Sequence, residues 1–189
     1  MDQLRAYFER MYRLSEEEWQ AFQINLERQE LKKNDFLLEE GKTCRQLHFI
    51  QTGAFRFFYL KDGKELVTAF FFSGDFVTNY RSFLTGQPSD HSIEALRDSV
   101  VWSINKQNLH ELYDRFPAID RLGRLMAERL YLVVTQRLDN LLYNNPEERY
   151  LDLLRRNSKL LQEVPQYMLA SYLGVSAESL SRIRKRISL

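Results

Sequence analysis

The stretch from Ala118 to Asn145 restricts the possible folds more than any other part of the sequence. It reads AIDRLGRLMAERLYLVVTQRLDNLLYNN, and its apolar residues recur at the three- and four-residue spacing of one helix face. These residues are Leu122, Leu125, Met126, Leu130, Val133, Val134, Leu138, Leu141 and Leu142. A helix this long and apolar must bury one face, and its cheapest partner is the same helix of a second subunit. The alternative is that the face only covers the preceding part of the chain.

The residues before this helix are typical of a β-rich domain that is preceded by two helices. MDQLRAYFERMYRL and LSEEEWQAFQINL are amphipathic, and Ser15 with Glu18 forms a capping box at the start of the second. From Gln29 onwards the β-like runs are ELKKNDFLLEEG, QLHFIQTGAFRFFYL, KELVTAFFF, GDFVTN, HSIEAL and SVVWSIN. Asp62-Gly63 predicts a type I′ hairpin turn. Many short strands with regular turns predict a jelly-roll barrel.

The C-terminal part is predicted to be helical. KQNLHELYDRF forms a short helix before Pro117, and Asn144, Asn145 and Pro146 break the long helix. Three further helices follow, namely PEERYLDLLRRN, VPQYMLASYLG and SAESLSRIRKRI. From Pro146 to the last residue there are eight Lys and Arg against five Asp and Glu, a net charge of +3. This modest basic excess favours an anionic partner.

Composition excludes several classes of protein. A chain of 189 residues with 44% hydrophobic and 28% charged residues is typical of a soluble protein with one long domain or two short ones. No apolar run approaches the roughly 18–20 residues that span a bilayer, and MDQLRAYFER does not have the pattern of a signal peptide. Because Cys44 is the single cysteine, one chain cannot form a disulfide or a Cys-ligated zinc or iron–sulfur cluster. We therefore expect a cytoplasmic protein.

The last two helices have the pattern of a helix-turn-helix. Their inner faces are Leu169, Ala170 and Leu173 in the first, and Leu180, Ile183 and Ile187 in the second. Gly174 permits the left-handed turn between the helices, Val175 fills the corner, and Ser176 caps the second helix. The N-terminal residues of such a second helix lie at the base edges of the DNA major groove.

The order of these parts resembles the superfamily of the cyclic-AMP receptor protein and the fumarate–nitrate regulator, the Crp/Fnr superfamily. The most specific similarities are GDFVTNYRSFLTGQ at 74–87 and LGVSAESLSRIRKRI at 173–187. The resemblance implies an α+β fold and a bacterial transcription regulator that binds a palindromic DNA operator as a homodimer. RNA polymerase is a further partner that such regulators imply. The implied domains are a sensor barrel of the cyclic-nucleotide-binding type with N-terminal helices at 1–116, a dimerisation helix at 117–145, and a winged helix-turn-helix domain at 146–189.

The resemblance also assigns candidate DNA contacts. Glu178 and Arg182 lie four residues apart on one helix face, where Glu accepts from cytosine and Arg bonds guanine bidentately. The expected base-reading residues are Glu178, Ser179 and Arg182, and the expected phosphate-contacting residues are Gln166, Tyr167, Ser176, Ser181, Arg184 and Lys185. Ala177 departs from the family, which often has an Arg at that position, so the operator sequence is left open.

The ligand cassette departs from that of the cyclic-AMP binders. Thr78-Asn79 stands where those proteins have Gly-Glu for the ribose, and Ser89-Asp90 stands where they have Arg-Ser or Arg-Thr for the phosphate. The candidate effector pocket consists of Thr78, Asn79, Tyr80, Arg81, Ser89 and Asp90. Without the carboxylate and the cation, we expect neither cyclic AMP nor any other cofactor, and an unknown small-molecule effector stays possible. Arg81 or Arg97 could substitute for the missing cation.

Other readings of the sequence predict a different function. A jelly roll can be a metal-dependent cupin enzyme, but His48, His91 and His110 are scattered, and no catalytic motif is present, so we expect neither catalysis nor a metal. A ligand-binding protein without DNA binding is the third possibility. The sequence ends just after the second helix of the motif, which leaves little room for a following wing, and residues 157–164 can hold at most a tight hairpin. Cys44 is read as a small buried hydrophobe in preference to a redox sensor.

Overall fold

The computed structural model describes residues 1–156 and 158–187 and begins with two short helices, α1 (Asp2–Glu9) and α2 (Glu16–Gln23). The capping box at the start of α2 is confirmed. The Glu18 N–H donates to the Ser15 hydroxyl at 3.3 Å, and the Ser15 N–H donates to the Glu18 carboxylate at 2.7 Å. Phe8 of α1 packs edge-on against Phe22 of α2, with ring centroids 5.0 Å apart, so the two helices share one aromatic cluster.

Eight strands form two four-stranded sheets in the described chain. They are β1 (Glu27–Leu31), β2 (Phe36–Leu38), β3 (Gln46–Thr52), β4 (Ala54–Lys61), β5 (Lys64–Phe72), β6 (Phe76–Val77), β7 (Ser92–Ala95) and β8 (Ser99–Asn105). One sheet has the order β1-β8-β3-β6 and the other β2-β7-β4-β5. The pairs β1–β8, β3–β8, β3–β6, β2–β7 and β4–β7 are antiparallel. The predicted jelly-roll-like β domain is confirmed.

The hairpin between β4 and β5 has the predicted turn. β4 ends at Lys61 and β5 begins at Lys64, which leaves a two-residue loop. Asp62 and Gly63 have φ angles of 51° and 72°, and a type I′ turn requires positive φ at both central positions.

The core of the β domain is made by residues of both sheets. Ile50, Phe55, Ile93 and Val101 are completely buried, and Phe49, next to Ile50, belongs to the same core. Burying an aliphatic or aromatic side chain of this size stabilises the fold by about 1.5–3 kcal/mol.

The segment between β6 and β7 differs from the prediction. GDFVTN was expected to be a β run, but only Phe76 and Val77 are in a strand, and a short helix, α3 (Tyr80–Thr85), follows. The Asn79 side chain caps α3 by accepting from the Ser82 N–H at 3.1 Å. Six residues are too few for a helical period to be visible in the sequence, and the cap was read as part of the preceding strand.

Two helices follow the strands, α4 (Lys106–Arg115) and α5 (Pro117–Tyr143). Pro117 occupies the first turn of α5, where its missing N–H is tolerated. Gly123 of α5 is required by packing, because a Cβ there would lie 2.4 Å from the Tyr113 hydroxyl oxygen. Burial raises the pKa of Tyr113 to about 12.

α5 ends at Tyr143, two residues before the predicted end, and its apolar residues are used in two different ways. Ile119 and Leu122 are buried in the hydrophobic core of the β domain, and Met126 packs against it. The interpretation that this face covers the barrel is therefore correct for the first turns. From Leu130 onwards the large apolar side chains are exposed, namely Leu130, Tyr131, Leu132, Val133, Val134, Leu138, Leu141, Leu142 and Tyr143.

Four helices complete the described chain, α6 (Pro146–Arg156), α7 (Ser158–Glu163), α8 (Gln166–Leu173) and α9 (Ala177–Ile187). The sequence predicted three, because the segment 157–164 was considered for a tight hairpin. That alternative is wrong over residues 158–163, which are helical, and Asn157 lies outside the described residues. Leu160 and Val164 are buried, which explains why this segment is a helix with an apolar side.

The chain divides into two compact units. One comprises Met1–Tyr59 and Phe70–Glu128, and the other comprises Leu60–Ala69 and Arg129–Leu189. The tip of the β4–β5 hairpin thus belongs with the C-terminal helices. There, the Val67 N–H donates to the Ser171 hydroxyl of α8 at 2.9 Å. Because α5 continues without a break from one unit into the other, the division into domains at 117 and 146 stays a prediction.

No helix within the described residues has both the length and the apolar character that crossing a membrane requires.

Candidate nucleic-acid interface

α8 and α9 are joined by a short turn that brings their apolar faces together. α8 ends at Gly174, whose φ of 70° is left-handed, and the Val175 N–H donates to the Ala170 carbonyl at 3.0 Å. The buried residues of the pair are Met168, Leu169, Ala170, Leu173, Leu180 and Ile183. This small core fixes the angle between the helices and leaves the other face of α9 exposed.

The first turn of α9 is held by Ser176. Its hydroxyl accepts from the Ser179 N–H at 3.2 Å, as a helix cap does. Hydrogen bonding to Ser176 also lowers the pKa of the Glu178 carboxyl, and Arg182 contributes to the lowering through its charge. Glu178 is therefore ionised at neutral pH, and it lies at the N-terminal end of an exposed helix face.

The predicted base-reading residues lie together on α9. Arg182 donates from Nη2 to the Ser179 hydroxyl at 3.2 Å. Glu178 and Arg182 are exposed and Ser179 is half-buried. An acceptor and a planar cation thus lie within about one turn of each other, which is the pair of groups that can distinguish base edges.

The predicted phosphate-contacting residues are distributed around this face. Ser176, Ser181 and Lys185 are exposed, and Arg184 is half-buried. Gln166 and Tyr167 are exposed in the first turn of α8, with Tyr167 60% exposed. Helical spacing places Ser181 and Arg184 along one edge of the exposed face, whereas Ser179 lies at the opposite edge.

A groove of about 760 Å³ lies beside that second edge, and the sequence did not reveal it. It is lined by Ser179, Arg182 and Arg186 of α9 and by Glu147 in the first turn of α6. Arg186 and Glu147 form an ion pair at 3.2 Å, with side chains that are 65% and 40% exposed. Arg186 lies four residues after Arg182, so this spacing could have marked it as part of the same face. Nothing in the local sequence indicated Glu147.

The candidate effector residues of the barrel are bonded to one another. Asn79 donates from Nδ2 to the Ser89 hydroxyl at 2.6 Å, and both residues are buried. Ser89 in turn donates to the His91 carbonyl at 2.7 Å, and Thr78 donates to the Gln46 carbonyl at 2.9 Å. Asn79 and Ser89 stand at the positions where the cyclic-AMP binders hold the ribose and the phosphate. Here they form a hydrogen bond with each other.

The charges at this site are also paired. Arg81 donates to the Asp90 carboxylate at 3.1 Å, and His91 Nδ1 lies 2.8 Å from the other oxygen of Asp90. The hydrogen bond with His91 lowers the pKa of Asp90. Tyr80, the remaining candidate, stacks on Phe83 with ring centroids 6.3 Å apart. Since Arg81 already has a carboxylate partner, it does not supply an isolated positive charge for an anionic ligand.

Arg97, the other residue considered as a phosphate partner, donates to the Gly53 carbonyl at 3.3 Å.

His48 is buried and bonded to the Ser103 hydroxyl at 2.7 Å, and burial lowers its pKa to about 4. His110 is exposed on α4. Within the described residues, no group of three His, Cys, Asp or Glu side chains is arranged to hold a metal ion. Cys44 is buried, which confirms its reading as a small hydrophobe.

These observations define a β domain of the cyclic-nucleotide-binding type, followed by a long helix and a bundle of short ones. Residues 28–116 match the family model described as the cyclic nucleotide-binding domain. No curated protein sequence matches the chain significantly.

Several solved structures share the fold. FixK2 from Bradyrhizobium japonicum has a TM-score of 0.72 at 20% identity, over 86% of this chain and 84% of that one. CLP from Xanthomonas campestris, a global regulator responsive to c-di-GMP, has a TM-score of 0.72 at 19% identity, over 92% of both chains. The catabolite activator protein of Thermus thermophilus has a TM-score of 0.59 at 20% identity, over 93% of this chain and 84% of that one.

The predicted resemblance to the Crp/Fnr superfamily is confirmed for the fold of the β domain and the long helix, by the family model and by these neighbours. At identities of 20% or less, the solved structures establish the fold alone.

Proposed function

We propose that this protein is a sequence-specific DNA-binding transcription regulator of bacteria. In this proposal α8 and α9 form the helix-turn-helix, and the exposed face of α9 enters the major groove. The observation that carries the proposal is the combination of exposed Glu178 and Arg182 on one face with exposed Ser176 and Lys185 towards the two ends of that face. The first pair supplies groups that distinguish bases, and the second supplies groups suited to phosphates.

The proposed regulator acts as a homodimer through the last part of α5. Tyr131, Val134, Leu138 and Leu142 are all exposed, and their spacing of three, four and four residues places them on one stripe of the helix. A stripe of four large apolar side chains in water favours association with a second copy. A dimer presents two α9 helices, which suits a palindromic operator.

The proposed barrel is not a receptor for cyclic AMP. Asn79 and Ser89 bond each other, and Arg81 is paired with Asp90, so the site offers no group of the kind that binds ribose or a cyclic phosphate. Another small-molecule effector and a contact with RNA polymerase are compatible with the proposal. A cupin-like or enzymatic function has no arrangement of ligands in its favour among the described residues.

The test of the proposal is selection of binding sites from random double-stranded DNA with the purified full chain. We expect recovery of a palindromic site that the protein binds in the nanomolar range at physiological salt, at least about a thousandfold more tightly than random DNA. The matched control is the Glu178→Ala, Arg182→Ala double variant, which should enrich no sequence. Failure of the wild-type protein to enrich any sequence, with and without cell extract, would refute the proposal.

A further inference from the structure

Two guanidinium groups from two different helices hold the C-terminus of α8. Arg137 of α5 donates from Nη2 to the Tyr172 carbonyl, and its guanidinium lies 3.8 Å from the centroid of the Tyr172 ring. Arg149 of α6 donates from Nε to the Leu173 carbonyl at 3.0 Å. Carbonyls at a helix C-terminus lack partners inside the helix, and cations there also interact favourably with the helix dipole. The two arginines therefore form a clamp on α8 immediately before its turn into α9.

The clamp attaches α8 to α5 at two points. One point is Arg137 itself, and the other is Asn144, just after the end of α5, whose carbonyl accepts from Arg149 Nη1 at 2.8 Å. A third bond, from Asn140 Nδ2 to Asp152 of α6 at 2.8 Å, supports the same junction. Attachment at two points, one on α5 and one just after its end, opposes rotation of α8 about a single hinge.

Burial makes the clamp more rigid than a surface ion pair. Arg137 is half-buried, and burial lowers its pKa. A partly buried cation that loses its hydrogen-bond acceptors carries a desolvation penalty, so displacement of α8 from Arg137 is unfavourable.

Arg137 lies beside the exposed apolar stripe of α5. Leu138 follows Arg137 directly and points about 100° away from it around the helix, whereas Val134, three residues before Arg137, is its neighbour on the helix surface. Arg137 is directed at α8, while Val134 and Leu138 are exposed. One helix thus carries both the surface proposed for the dimer and, next to it, the clamp.

From this arrangement we infer that Arg137 and Arg149 are positioning residues that set the separation of the two operator half-sites. They contact no base in this inference, which rests on the proposed DNA-binding dimer. They fix the orientation of α8 and α9 on α5, and therefore the distance and angle between the two α9 helices of a dimer. A dimeric helix-turn-helix protein selects half-site spacing through this geometry.

The clamp is separable from the fold of the pair that it holds. The core between α8 and α9 includes Leu169, Leu173, Leu180 and Ile183, and the arginines lie outside it. Removing Arg137 should therefore leave the pair folded while loosening its attachment to α5.

The experiment uses the palindrome recovered by selection, with its half-sites moved apart or together by one and two base pairs, and also a single half-site. For the wild-type full chain, a shift of one base pair should lower affinity about tenfold, because the second α9 no longer meets its half-site. For Arg137→Ala, the same shift should lower affinity less than about threefold, with single half-site affinity unchanged within about twofold. Gln136→Ala, at an exposed neighbour on the same helix, is the matched control and should keep the wild-type spacing profile.

Arg137→Lys retains the positive charge and can still donate a hydrogen bond but loses the planar fork, so it should give an intermediate profile. Thermal unfolding and sedimentation establish that each variant is a folded dimer. A wild-type spacing profile for Arg137→Ala would overturn the inference, as would equal reductions in affinity for the palindrome and the single half-site. Those results concern the clamp alone, whereas a wild-type protein that binds no palindrome refutes the proposed function.

Discussion

The polar side chains of α9 and those of the barrel segment 78–90 differ in their exposure to solvent and in their hydrogen-bond partners. On α9, Glu178, Arg182 and Lys185 are exposed to solvent. In the barrel, Asn79, Ser82 and Ser89 are buried, and their side chains bond to one another and to neighbouring groups of the protein. The two regions contain similar residue types, so exposure distinguishes them better than composition does.

This difference has a thermodynamic consequence. An exposed polar group can exchange its hydrogen bond with water for one with a new partner at little net cost in free energy. It is therefore suited to bind a ligand. A buried group that gives up its partner is left unsatisfied, which costs about 1–3 kcal/mol. The comparison therefore supports the proposal that α9 recognises DNA and that the polar groups of the segment 78–90 have a structural role.

The largest effect is expected from breaking the proposed dimer, which would bring two α9 helices to one operator. Replacing Val134 and Leu138 together by Glu would place like charges on the exposed stripe of α5 and should yield monomers. Affinity for the palindrome should fall about a hundredfold or more, because binding of the second half-site is no longer intramolecular. Sedimentation at micromolar concentration measures the assembly, with Gln136→Glu as a control for added charge. A wild-type monomer in the same measurement would contradict the dimer.

The second prediction separates base reading from phosphate binding within α9. Arg182→Ala should relax the preference at one symmetric operator position, since a bidentate Arg–guanine contact contributes roughly 1–3 kcal/mol of discrimination. Lys185→Ala should weaken binding to all sequences equally and reduce the salt slope by about one for each phosphate that the variant no longer binds.

A series of salt concentrations with matched and mismatched operators distinguishes the two variants. If Arg182→Ala lowers affinity for every sequence and leaves base preference unchanged, Arg182 binds phosphate and does not read bases.

The third prediction concerns a buried polar group of the barrel. The His48 pKa of about 4 in the folded protein lies below its unfolded value of about 6.5, so the unfolded chain binds the proton more readily between these pH values. The contribution of neutral His48 to the free energy of unfolding should therefore be fully present above pH 6.5. The free energy of unfolding should fall by about 3 kcal/mol as the pH decreases to 4. His48→Gln should have a flatter profile in denaturant unfolding, and His110→Gln is the exposed control. Parallel profiles for wild type and His48→Gln would contradict this assignment.

The fourth prediction tests the edge of the α9 face. Glu147→Gln removes the carboxylate that pairs with Arg186 and makes this cation available to a phosphate. Affinity for all DNA sequences should rise about threefold. This small effect is expected because an exposed ion pair contributes less than about 1 kcal/mol. Fluorescence anisotropy measures it, with Glu148→Gln as the control for net charge. The gain should disappear when Arg186→Ala is added, and its persistence would show that Arg186 is not involved.

The smallest expected effect is an absence of binding by the barrel. Calorimetric titration with cyclic AMP or cyclic GMP should give no binding heat at up to about millimolar ligand. The candidate effector site offers no isolated cation that could bind the phosphate of the nucleotide. Micromolar affinity for either nucleotide would reverse the comparison between the two regions.

Local features of this protein could be read from its sequence. The Asp62-Gly63 turn, the Ser15–Glu18 capping box and the left-handed Gly174 each depend on a few adjacent residues. The alternation of apolar residues in the strands and their helical spacing in α5 and α9 depend on local geometry in the same way. These signals were sufficient for the β domain, the long helix and the exposed α9 face.

Contacts between distant residues were decided by the tertiary structure alone. The Arg137 and Arg149 bonds to α8 join residues 35 and 24 positions apart, and the Val67–Ser171 bond joins residues 104 apart. The sequence presented Arg137 as one more charged residue on an amphipathic helix. It presented Asn79 and Ser89 as two departures from a ligand site, without showing that they bond each other. The path of the chain brings these groups together, and no local propensity or spacing encodes that path.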